Sequence, residues 1–372
     1  MVIKTVGVVG AGTMGGGIAQ LCAGRGFSAK LYDISKEILE RAKERIEKSI
    51  DTGVTKGKIT PEAAAKTKRS IAYVLRLEDL AAADIVIEAA TENLGLKQEI
   101  FSRLDALVAS ERVIATNTSS LPVQEIGAKA KHPERILGVH FFNPPPVMKL
   151  VEMIRPPRLD EKHYQTAKKF ALDLGKTVVE VKDVPGFIVN RVLRPYYIEA
   201  FRLLEAGKTT IKEMDEAVVK LGGVPMGPCA LVDFIGMDVN LAVTSAIFDG
   251  LGRPERLKPA ALQEQLVKLD YLGPKVGRGF YLYRNRRAAG ENPEVLKILP
   301  PVKNRLPPEA LWAHLKRAIR QEAEMLFNEG TATKEDINTA VRLGANFSKG
   351  PFEMSSDEEN RNRDRHYFSA EK

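Results

Sequence analysis

Residues 2–15 read VIKTVGVVGAGTMG, and this stretch decides how the first half of the chain is interpreted. Its first eight residues form a short, β-branched, apolar run, which is typical of a buried strand in a parallel sheet. The six residues that follow have the pattern GxGxxG, which joins a strand to a helix in dinucleotide-binding domains. The first glycine permits a tight turn, the second lets the backbone approach a pyrophosphate, and the third allows close packing of helix on strand. We therefore predict a cofactor-binding loop formed by Gly10, Ala11, Gly12, Thr13, Met14 and Gly15.

An acidic residue further along the chain supports the same interpretation. Asp33 lies 21 residues after Gly12, at the end of the next predicted strand, residues 29–32. A carboxylate in this place bonds the hydroxyls of the adenosine ribose, and it would repel a 2′-phosphate. We therefore expect NAD rather than NADP as the cofactor. The alternative interpretation is a structural glycine turn with an incidental aspartate.

Short apolar segments alternate with helical segments through the first half of the chain. The further predicted strands are residues 71–75, 85–87, 113–115 and 136–140. Because strands that alternate with helices form βαβ units, the pattern predicts an α/β fold with an N-terminal Rossmann-type, doubly wound sheet. The second and third strands are unusually far apart, and we expect a helical hairpin that turns around Thr52-Gly53 between them. This hairpin should protrude from the sheet and could clamp a ligand.

The composition limits the class of protein. The 372 residues are 44% apolar and 28% charged, as in an ordinary soluble globular protein of two or three domains. A net charge of +8 suits an anionic ligand, whereas the sequence has no dense basic run with aromatics that would predict nucleic-acid binding. Cys22 and Cys229 lie far apart without a CxxC partner, so we expect neither a disulfide framework nor a metal site. No apolar run approaches the ~20 residues that span a bilayer, and no secretory leader is visible, so we expect a cytoplasmic protein that does not bind membranes.

The second half of the chain has a helical pattern. A β-rich segment at 177–181 is followed by Pro185-Gly186, a plausible junction between domains. Beyond this junction, residues 188–221 and 233–267 have helical character. The pattern therefore predicts an all-α C-terminal domain after the sheet domain.

This helical half also contains an internal repeat. Residues 199–228 and 322–351 share a glycine, an Ala-Val pair, a Leu-Gly stop and a Gly-Pro pair at an offset near 123. A duplication explains this order of identities, and the second copy is only a partial one. We predict four parts of the chain: an NAD-binding Rossmann domain with its hairpin insertion at 1–184, a helical domain at 185–290, a partial repeat of that domain at 305–358, and a charged, disordered or peripheral tail at 359–372.

Candidate catalytic residues lie at the predicted carboxyl ends of strands, where doubly wound sheets bind their ligands. His140 ends one such strand, and Glu152 follows 12 residues later, after a proline-rich turn and another predicted strand. This return path can bring the carboxylate to the imidazole, where it would fix the tautomer of a general base. Alcohol oxidation needs such a base, because the hydroxyl proton must leave as hydride passes to the cofactor. Asn117-Thr118-Ser119-Ser120 follows another strand, and Ser119 could donate to a substrate oxygen.

These motifs together resemble the L-3-hydroxyacyl-CoA dehydrogenase family. The resemblance runs from about residue 2 to residue 283, and the spacing between motifs is preserved. It is carried by the glycine loop with Asp33, and by NTSS at 117–120, HFFNP at 140–144, MKLVE at 148–152 and PGFIVNR at 185–191. The resemblance implies that the chain catalyses reversible, NAD-dependent oxidation of (S)-3-hydroxyacyl-CoA to 3-ketoacyl-CoA.

The resemblance also implies roles for individual residues. His140 would be the general base with Glu152 as its partner, and Ser119 and Asn190 would contact the substrate or orient the base. The NAD site would be lined by Asp33, Glu92, Lys97, Asn117, Asn143 and Lys275 in addition to the glycine loop. In the helical hairpin, Ser49 and Lys56 would hold coenzyme A, since a lysine can serve as a point charge for its phosphates. A solvated lysine at a helix end is the alternative for Lys56.

Other functions and two assembly states stay open from the sequence. A sugar-acid dehydrogenase of the L-gulonate type would share the fold and the His/Glu pair, but its substrate lacks CoA. A non-catalytic NAD-binding protein and a component of a fatty-acid oxidation assembly are further alternatives. In the family that the chain resembles, the helical domain typically forms the dimer interface. We therefore expect either a homodimer, or a monomer in which the partial second copy packs on the first as an internal pseudo-dimer.

Overall fold

The computed structural model describes residues 2–354, which form two compact units, residues 2–187 and 188–354. The boundary follows Phe187, directly after the predicted junction at Pro185-Gly186. The predicted tail at 359–372 and the last residues of the predicted partial repeat lie outside the described residues.

The first unit is built on an eight-stranded sheet of order β3-β2-β1-β4-β5-β6-β7-β8. Its strands are β1 (Thr5–Val9), β2 (Ser28–Tyr32), β3 (Ile71–Val74), β4 (Ile85–Glu88), β5 (Val113–Thr116), β6 (Ile136–Phe141), β7 (Leu150–Arg155) and β8 (Thr177–Lys182). Only β6 and β7 pair antiparallel, and every other neighbouring pair is parallel. This is the predicted Rossmann-type, doubly wound sheet, with a strand order that reverses between β1 and β4.

Helices cover both faces of this sheet. They are α1 (Thr13–Gly24), α2 (Lys36–Thr55), α3 (Pro61–Arg69), α4 (Leu94–Leu107), α5 (Val123–Ile126) and α6 (Glu161–Asp173). The central strands are buried on both sides because their residues are apolar almost throughout, as in Val6-Gly7-Val8-Val9 and Ile85-Val86-Ile87. The ends of β4 and β5 bring the polar side chains of Glu88 and Thr116 to one edge of an otherwise apolar layer.

The predicted turn of the helical hairpin is wrong in position. Thr52 and Gly53 lie inside α2, which continues to Thr55, and the chain turns instead at Gly57 with φ +65°. Gly53 is tolerated within the helix because the returning chain packs Ile59 against it, where a Cβ would lie 3.2 Å from that side chain. The left-handed conformation at position 57 is one that glycine adopts without strain, so it ends the helix more effectively.

The second unit is helical, with one small hairpin that the sequence analysis did not predict. Its helices are α7 (Val189–Val192), α8 (Arg194–Glu205), α9 (Ile211–Gly222), α10 (Pro228–Ile235), α11 (Met237–Gly250), α12 (Ala261–Lys268), α13 (Pro293–Ile298), α14 (Pro308–Asn328) and α15 (Lys334–Ala345). The hairpin pairs β9 (Tyr281–Arg284) with β10 (Arg287–Glu291) through positive-φ residues Asn285 and Arg286. Among residues 2–354 no single helix could cross a membrane, although the pair α10 and α11, bent by 97°, passes by length and composition together.

The internal repeat is visible in the helix termini. Helix α15 begins and ends 123 residues after α9, and Thr333 caps it as Thr210 caps α9. Both helices end in a left-handed residue, Gly223 in the first copy and Asn346 in the second. The first copy breaks its leading helix into α7 and α8 at Leu193, whereas the second copy has the single helix α14.

The two copies pack against each other in a reciprocal way. Helix α14 of the second copy packs on α8 and α9, and α15 of the second copy packs on α7. Arg191 of the first copy bonds Glu322 of the second, and His314 of the second bonds Glu199 of the first. His314 and Glu322 lie 123 residues after Arg191 and Glu199, so the two contacts are exchanged equivalents. Such exchange is the signature of an approximate two-fold axis.

Candidate active site

The glycine loop forms an open cradle at the start of α1. Gly10 has φ +94°, and a Cβ there would lie 2.8 Å from the carbonyl oxygen of Ala89. A Cβ on Gly15 would lie 1.8 Å from the carbonyl oxygen of Gly10, so loop and helix are in direct backbone contact. A Cβ on Gly12 would meet no atom of the described chain within 4 Å. Helix α1 begins at Thr13 without a side-chain cap among these residues, so its first N–H groups face this space.

Asp33 connects the second strand to this loop. Its Oδ2 accepts a hydrogen bond of 2.8 Å from the backbone N–H of Ala11, and its Oδ1 accepts one of 3.3 Å from Ser35. On the other side of the loop, Arg45 from α2 donates to the carbonyl oxygen of Ala11 at 2.9 Å. These bonds hold the predicted ribose-binding carboxylate beside the predicted pyrophosphate cradle, as the sequence spacing predicts.

A buried ion-pair chain lies at the end of β4. The Lys97 ammonium contacts Glu88 at 2.6 Å and Glu92 at 3.4 Å, and Lys97 and Glu88 are both fully buried. Thr116 donates its hydroxyl to the other oxygen of Glu88 at 2.7 Å. Sequence reasoning missed Glu88, although a carboxylate that ends an otherwise apolar strand, Ile85-Val86-Ile87, was a visible signal.

Glu92 organises the loop that follows β5. It accepts hydrogen bonds from the Thr118 hydroxyl, the Ser119 N–H and the Ser120 N–H and hydroxyl. Burial acts to raise the pKa of Glu92, but the Lys97 ammonium and these donors together hold it below its usual value. The carboxylate therefore stays ionised and orders the segment that carries Ser119.

Asn117 bridges two strand ends in the same region. Its backbone N–H donates to the Glu88 carbonyl at 2.7 Å, and its Oδ1 accepts the N–H of Phe141 at 2.8 Å. The second bond fixes the end of β6 next to His140. Asn117 is thus placed at the predicted carboxyl edge, with its side-chain oxygen engaged by the backbone.

His140 and Glu152 face each other across the antiparallel pair β6–β7. They are register partners, and Nδ1 of His140 lies 2.7 Å from Oε2 of Glu152. Glu152 is fully buried and His140 is 7% exposed, with the rings of Phe142 and Phe187 at centroid distances of 4.6 and 5.8 Å from the imidazole. A carboxylate on Nδ1 leaves Nε2 as the ring nitrogen that can exchange a proton with a ligand.

The loop between these two strands is held from behind by a lysine that sequence reasoning missed. Lys176 is buried, and its ammonium donates to the carbonyl oxygens of Pro145 and Met148, each at 2.6 Å. Burial lowers the pKa of Lys176 to about 8. The ring of Pro145 lies over α1, where a Cβ on Gly17 would be 2.7 Å away. Asn143, a predicted NAD residue, precedes this loop through a cis bond to Pro144.

The predicted coenzyme A residues lie on the outer face of α2. Ser49 accepts a hydrogen bond of 3.1 Å from Gln20, and Lys56 is the residue after the last turn of the helix. A shallow groove along this face is lined by Glu44, Glu47, Lys48, Asp51, Thr52, Thr55 and Lys56. Its carboxylates outnumber its ammonium groups, so the surface alone does not favour a phosphate.

Two predicted site residues belong to the second unit. Asn190 lies in α7, and Lys275 follows α12, where its ammonium pairs with Asp238. The roles predicted for them stay predictions. Cys22 and Cys229, for which the sequence predicts neither a disulfide framework nor a metal site, are both free, buried thiols.

Comparison with known proteins agrees with this geometry. Residues 5–184 match the NAD-binding domain of 3-hydroxyacyl-CoA dehydrogenase, and residues 186–283 match the C-terminal domain of that enzyme. The chain is 43% identical to a 3-hydroxyadipyl-CoA dehydrogenase of Escherichia coli over 77% of its own length and 60% of that protein's length. It is also 43% identical to a probable 3-hydroxybutyryl-CoA dehydrogenase of Bacillus subtilis over 77% of its own length and 99% of that protein's length.

A solved structure extends the similarity into the second copy. The 3-hydroxybutyryl-CoA dehydrogenase of Escherichia coli K12 superposes with a TM-score of 0.86 at 34% identity, covering 94% of this chain and 90% of that one. The fold and site define a dinucleotide-dependent oxidoreductase. The chain belongs to the 3-hydroxyacyl-CoA dehydrogenase family, so it is an NAD-dependent 3-hydroxyacyl-CoA dehydrogenase, and the resemblance seen in its motifs is confirmed.

Proposed function

We propose that His140 is the general base in the NAD-dependent oxidation of (S)-3-hydroxyacyl-CoA to 3-ketoacyl-CoA. The supporting observation is the bond of 2.7 Å between Nδ1 of His140 and Glu152. In oxidation, Nε2 takes the proton of the C3 hydroxyl while the C3 hydrogen leaves as hydride. In reduction, the same nitrogen returns the proton. Glu152 holds the tautomer and stabilises the imidazolium that forms.

The chain's own residues would hold NAD, which supplies the hydride acceptor when it is bound. The open space over Gly12 and the uncapped start of α1 would take the pyrophosphate, and Asp33 would take the ribose hydroxyls. Glu92, Lys97, Asn117, Asn143 and Lys275 complete the proposed site. We assign Ser119 and Asn190 to the substrate, and Ser49 and Lys56 to coenzyme A.

The physiological direction and pathway belong to this proposal as well. Oxidation would serve fatty-acid breakdown, and reduction would serve a butyrate-type pathway. Nucleic-acid binding is not part of the proposal, and the cytoplasmic location stays a prediction.

The decisive experiment measures the oxidation of NADH by its absorbance, with acetoacetyl-CoA as the substrate. A parallel assay under the same conditions uses free acetoacetate. Turnover of the thioester alone is the expected result. Folded protein that still binds NADH but turns over neither substrate would contradict the proposal. The His140→Gln variant tests the base directly, with His132→Gln as a matched control, because His132 is exposed and pairs only locally with Glu134.

We also infer that the chain is a monomer with an internal pseudo-dimer, rather than a homodimer. The support is the reciprocal packing of α14 and α15 on α7, α8 and α9. Helix α14 buries Leu311, Leu315, Ile319 and Leu326. In this proposal the described part of the partial repeat 305–358, residues 305–354, covers the face of the helical domain 185–290 that a second subunit would otherwise cover, and residues 1–184 form the NAD-binding domain.

A further inference from the structure

Three arginines are buried in the part of the chain that the structure describes, and two of them pair with carboxylates. Arg135 bonds Asp105 at 2.7 and 3.0 Å and three backbone carbonyls besides. Arg191 bonds Glu322 at 2.9 Å and Glu329 at 2.6 Å. These distances are typical of charge-assisted hydrogen bonds, and such pairing is what a buried cation needs.

The third buried arginine, Arg194, has a different environment. Its hydrogen bonds go to the carbonyl oxygens of Asn190 and Asn240, both at 3.3 Å, and to the Thr244 hydroxyl at 3.2 Å. These acceptors are neutral, and the bonds are long. Within residues 2–354 no carboxylate forms an ion pair with Arg194, although its exposure is only 2%. Burial lowers the pKa of Arg194 to about 10, which is a sign of a poorly compensated charge.

The surroundings of Arg194 are polar although they are buried. Asn240, Thr244 and Gln263 are all buried and bond to one another, with the Gln263 amide donating to Oδ1 of Asn240 at 2.6 Å. The Oε1 atom of Gln263 is buried without a hydrogen-bond partner in the described structure. Among the described residues, helices α8, α11 and α12 thus enclose a polar cluster that contains the Arg194 cation, 5.3 Å from the centroid of the Tyr197 ring, one unpaired acceptor oxygen and no carboxylate. Such a cluster is costly to fold unless a ligand completes it.

This cluster lies next to a residue that we assign to the substrate. Arg194 follows Asn190 by four residues, and side chains of helical residues lean toward the preceding turn. Consistent with this, Nε of Arg194 donates to the carbonyl oxygen of Asn190. If Asn190 contacts the substrate near its reacting carbon, the bond between Arg194 and the Asn190 carbonyl keeps the guanidinium within reach of the far end of a short acyl chain.

We propose that Arg194 binds a carboxylate at the far end of the acyl chain, so that the preferred substrates are 3-hydroxyacyl-CoA esters of short dicarboxylic acids. This inference rests on the proposed function and specifies its substrate class. The guanidinium offers a planar pair of donors that matches a carboxylate, and Asn240, Thr244 and Gln263 hold it in place. An acyl chain that ends in a methyl group would leave the buried cation without an anion.

The test compares two six-carbon substrates that differ only at the far end, 3-oxoadipyl-CoA and 3-oxohexanoyl-CoA. For the wild-type protein we expect kcat/KM with NADH to favour the dicarboxylic substrate on the order of 10²–10⁴-fold, because a site built for a polar group rejects an analogue that lacks it. Arg194→Met should bring this ratio close to one or reverse it. The ratio for Arg194→Lys should lie between those of the wild type and of Arg194→Met, because a lysine keeps the charge but cannot form the paired bond to a carboxylate. The control is Arg253→Met, which removes an exposed arginine of the same unit and should keep the wild-type ratio.

Two further measurements distinguish a failure of this inference from a failure of the proposed function. Wild-type turnover of acetoacetyl-CoA, which has no terminal carboxylate, tests the proposed function by itself. If acetoacetyl-CoA is reduced but the wild-type protein does not favour 3-oxoadipyl-CoA, the inference about Arg194 is overturned and the proposed function stands. If no CoA ester is reduced, both are overturned. A thermal melt of Arg194→Met should show a midpoint at or above that of the wild type. If this variant unfolds and the wild-type protein has similar kcat/KM for the two six-carbon substrates, Arg194 is a structural residue.

Discussion

Arg191 and Glu322 form a fully buried ion pair with 2.9 Å between Nε and Oε1, and they come from the two copies of the repeat. The counterpart contact, between His314 and Glu199, is 2.7 Å long and partly exposed. The first contact also recruits Arg256 and Glu329. The duplication has therefore kept the geometry of an exchanged contact while the residue types on its two sides have diverged.

The internal pseudo-dimer predicts a change of assembly on truncation. A chain that ends at Asn304 lacks α14 and α15, so the apolar faces of α7, α8 and α9 lose their cover. We expect this protein to self-associate, as measured by its mass in solution. A chain that ends at Met354 keeps both helices and is the matched control, with the mass of a monomer. A monomeric 1–304 protein, or a full-length dimer, would contradict the proposal.

Substitution of the proposed base should affect turnover far more than cofactor binding. His140→Gln is expected to lower kcat on the order of 10²–10⁴-fold, and Glu152→Gln should lower it less, because Glu152 acts through His140. NADH binding, followed by fluorescence, should stay within a few-fold of the wild type in both variants. Near-normal turnover of His140→Gln would rule out its role as the base.

Loss of Asp33 should weaken NAD binding and relax the choice of cofactor. We expect Asp33→Ala to raise the KM for NAD on the order of 10–100-fold, because the ribose loses a charged acceptor and the Ala11 N–H loses its partner. The NADP/NAD ratio of kcat/KM should rise, since the carboxylate no longer repels the 2′-phosphate. Asp173→Ala removes an exposed carboxylate of the same unit and is the control. An unchanged ratio would show that Asp33 does not set the cofactor preference.

The stability of the helical unit should depend on pH through Asp215. This carboxyl accepts N–H bonds from Cys229 and Ala230 and the hydroxyl of Tyr281, but burial is the larger effect and raises its pKa from 3.8 to about 6. Because the folded state binds the proton more tightly, this contribution to stability is full below about pH 4 and is lost as the pH rises through about 6. Its size is at most about 3 kcal/mol.

The second copy provides the variant that tests this dependence. Asn338 occupies the position of Asp215, and its Oδ1 accepts the N–H of Phe352 as Asp215 accepts that of Cys229. Asp215→Asn should therefore fold and should reduce the change in thermal midpoint between about pH 4 and pH 7, leaving the part that belongs to Asp233, whose pKa burial also raises to about 6. Asp249→Asn, at an exposed site, should keep the wild-type slope. An Asp215→Asn protein with the wild-type slope would show that another group is responsible.

Much of the first unit could be predicted because its information is local. The GxGxxG loop, the strand ends and the spacing from Gly12 to Asp33 all depend on residues close together in the chain, and the structure has them as expected. The predicted position of the hairpin turn, Thr52-Gly53, was wrong. A glycine in a sequence does not show whether another segment packs on it, as Ile59 packs here on Gly53. Glu88 was missed although its place at the end of an apolar strand was a visible local signal, whereas Lys176 was missed because its partners, the carbonyl groups of Pro145 and Met148, are remote in sequence.

The sequence by itself therefore determined the doubly wound sheet, the cofactor loop, the pairing of His140 with Glu152 and the presence of a repeat. Each of these follows from a periodicity or a spacing that backbone geometry translates directly into position. Only the tertiary structure decided that the two copies exchange contacts, and that, among residues 2–354, Arg194 is buried without a carboxylate partner while Arg191 has two. The pairing of a buried charge depends on which distant helices pack around it, and a linear pattern does not contain that information.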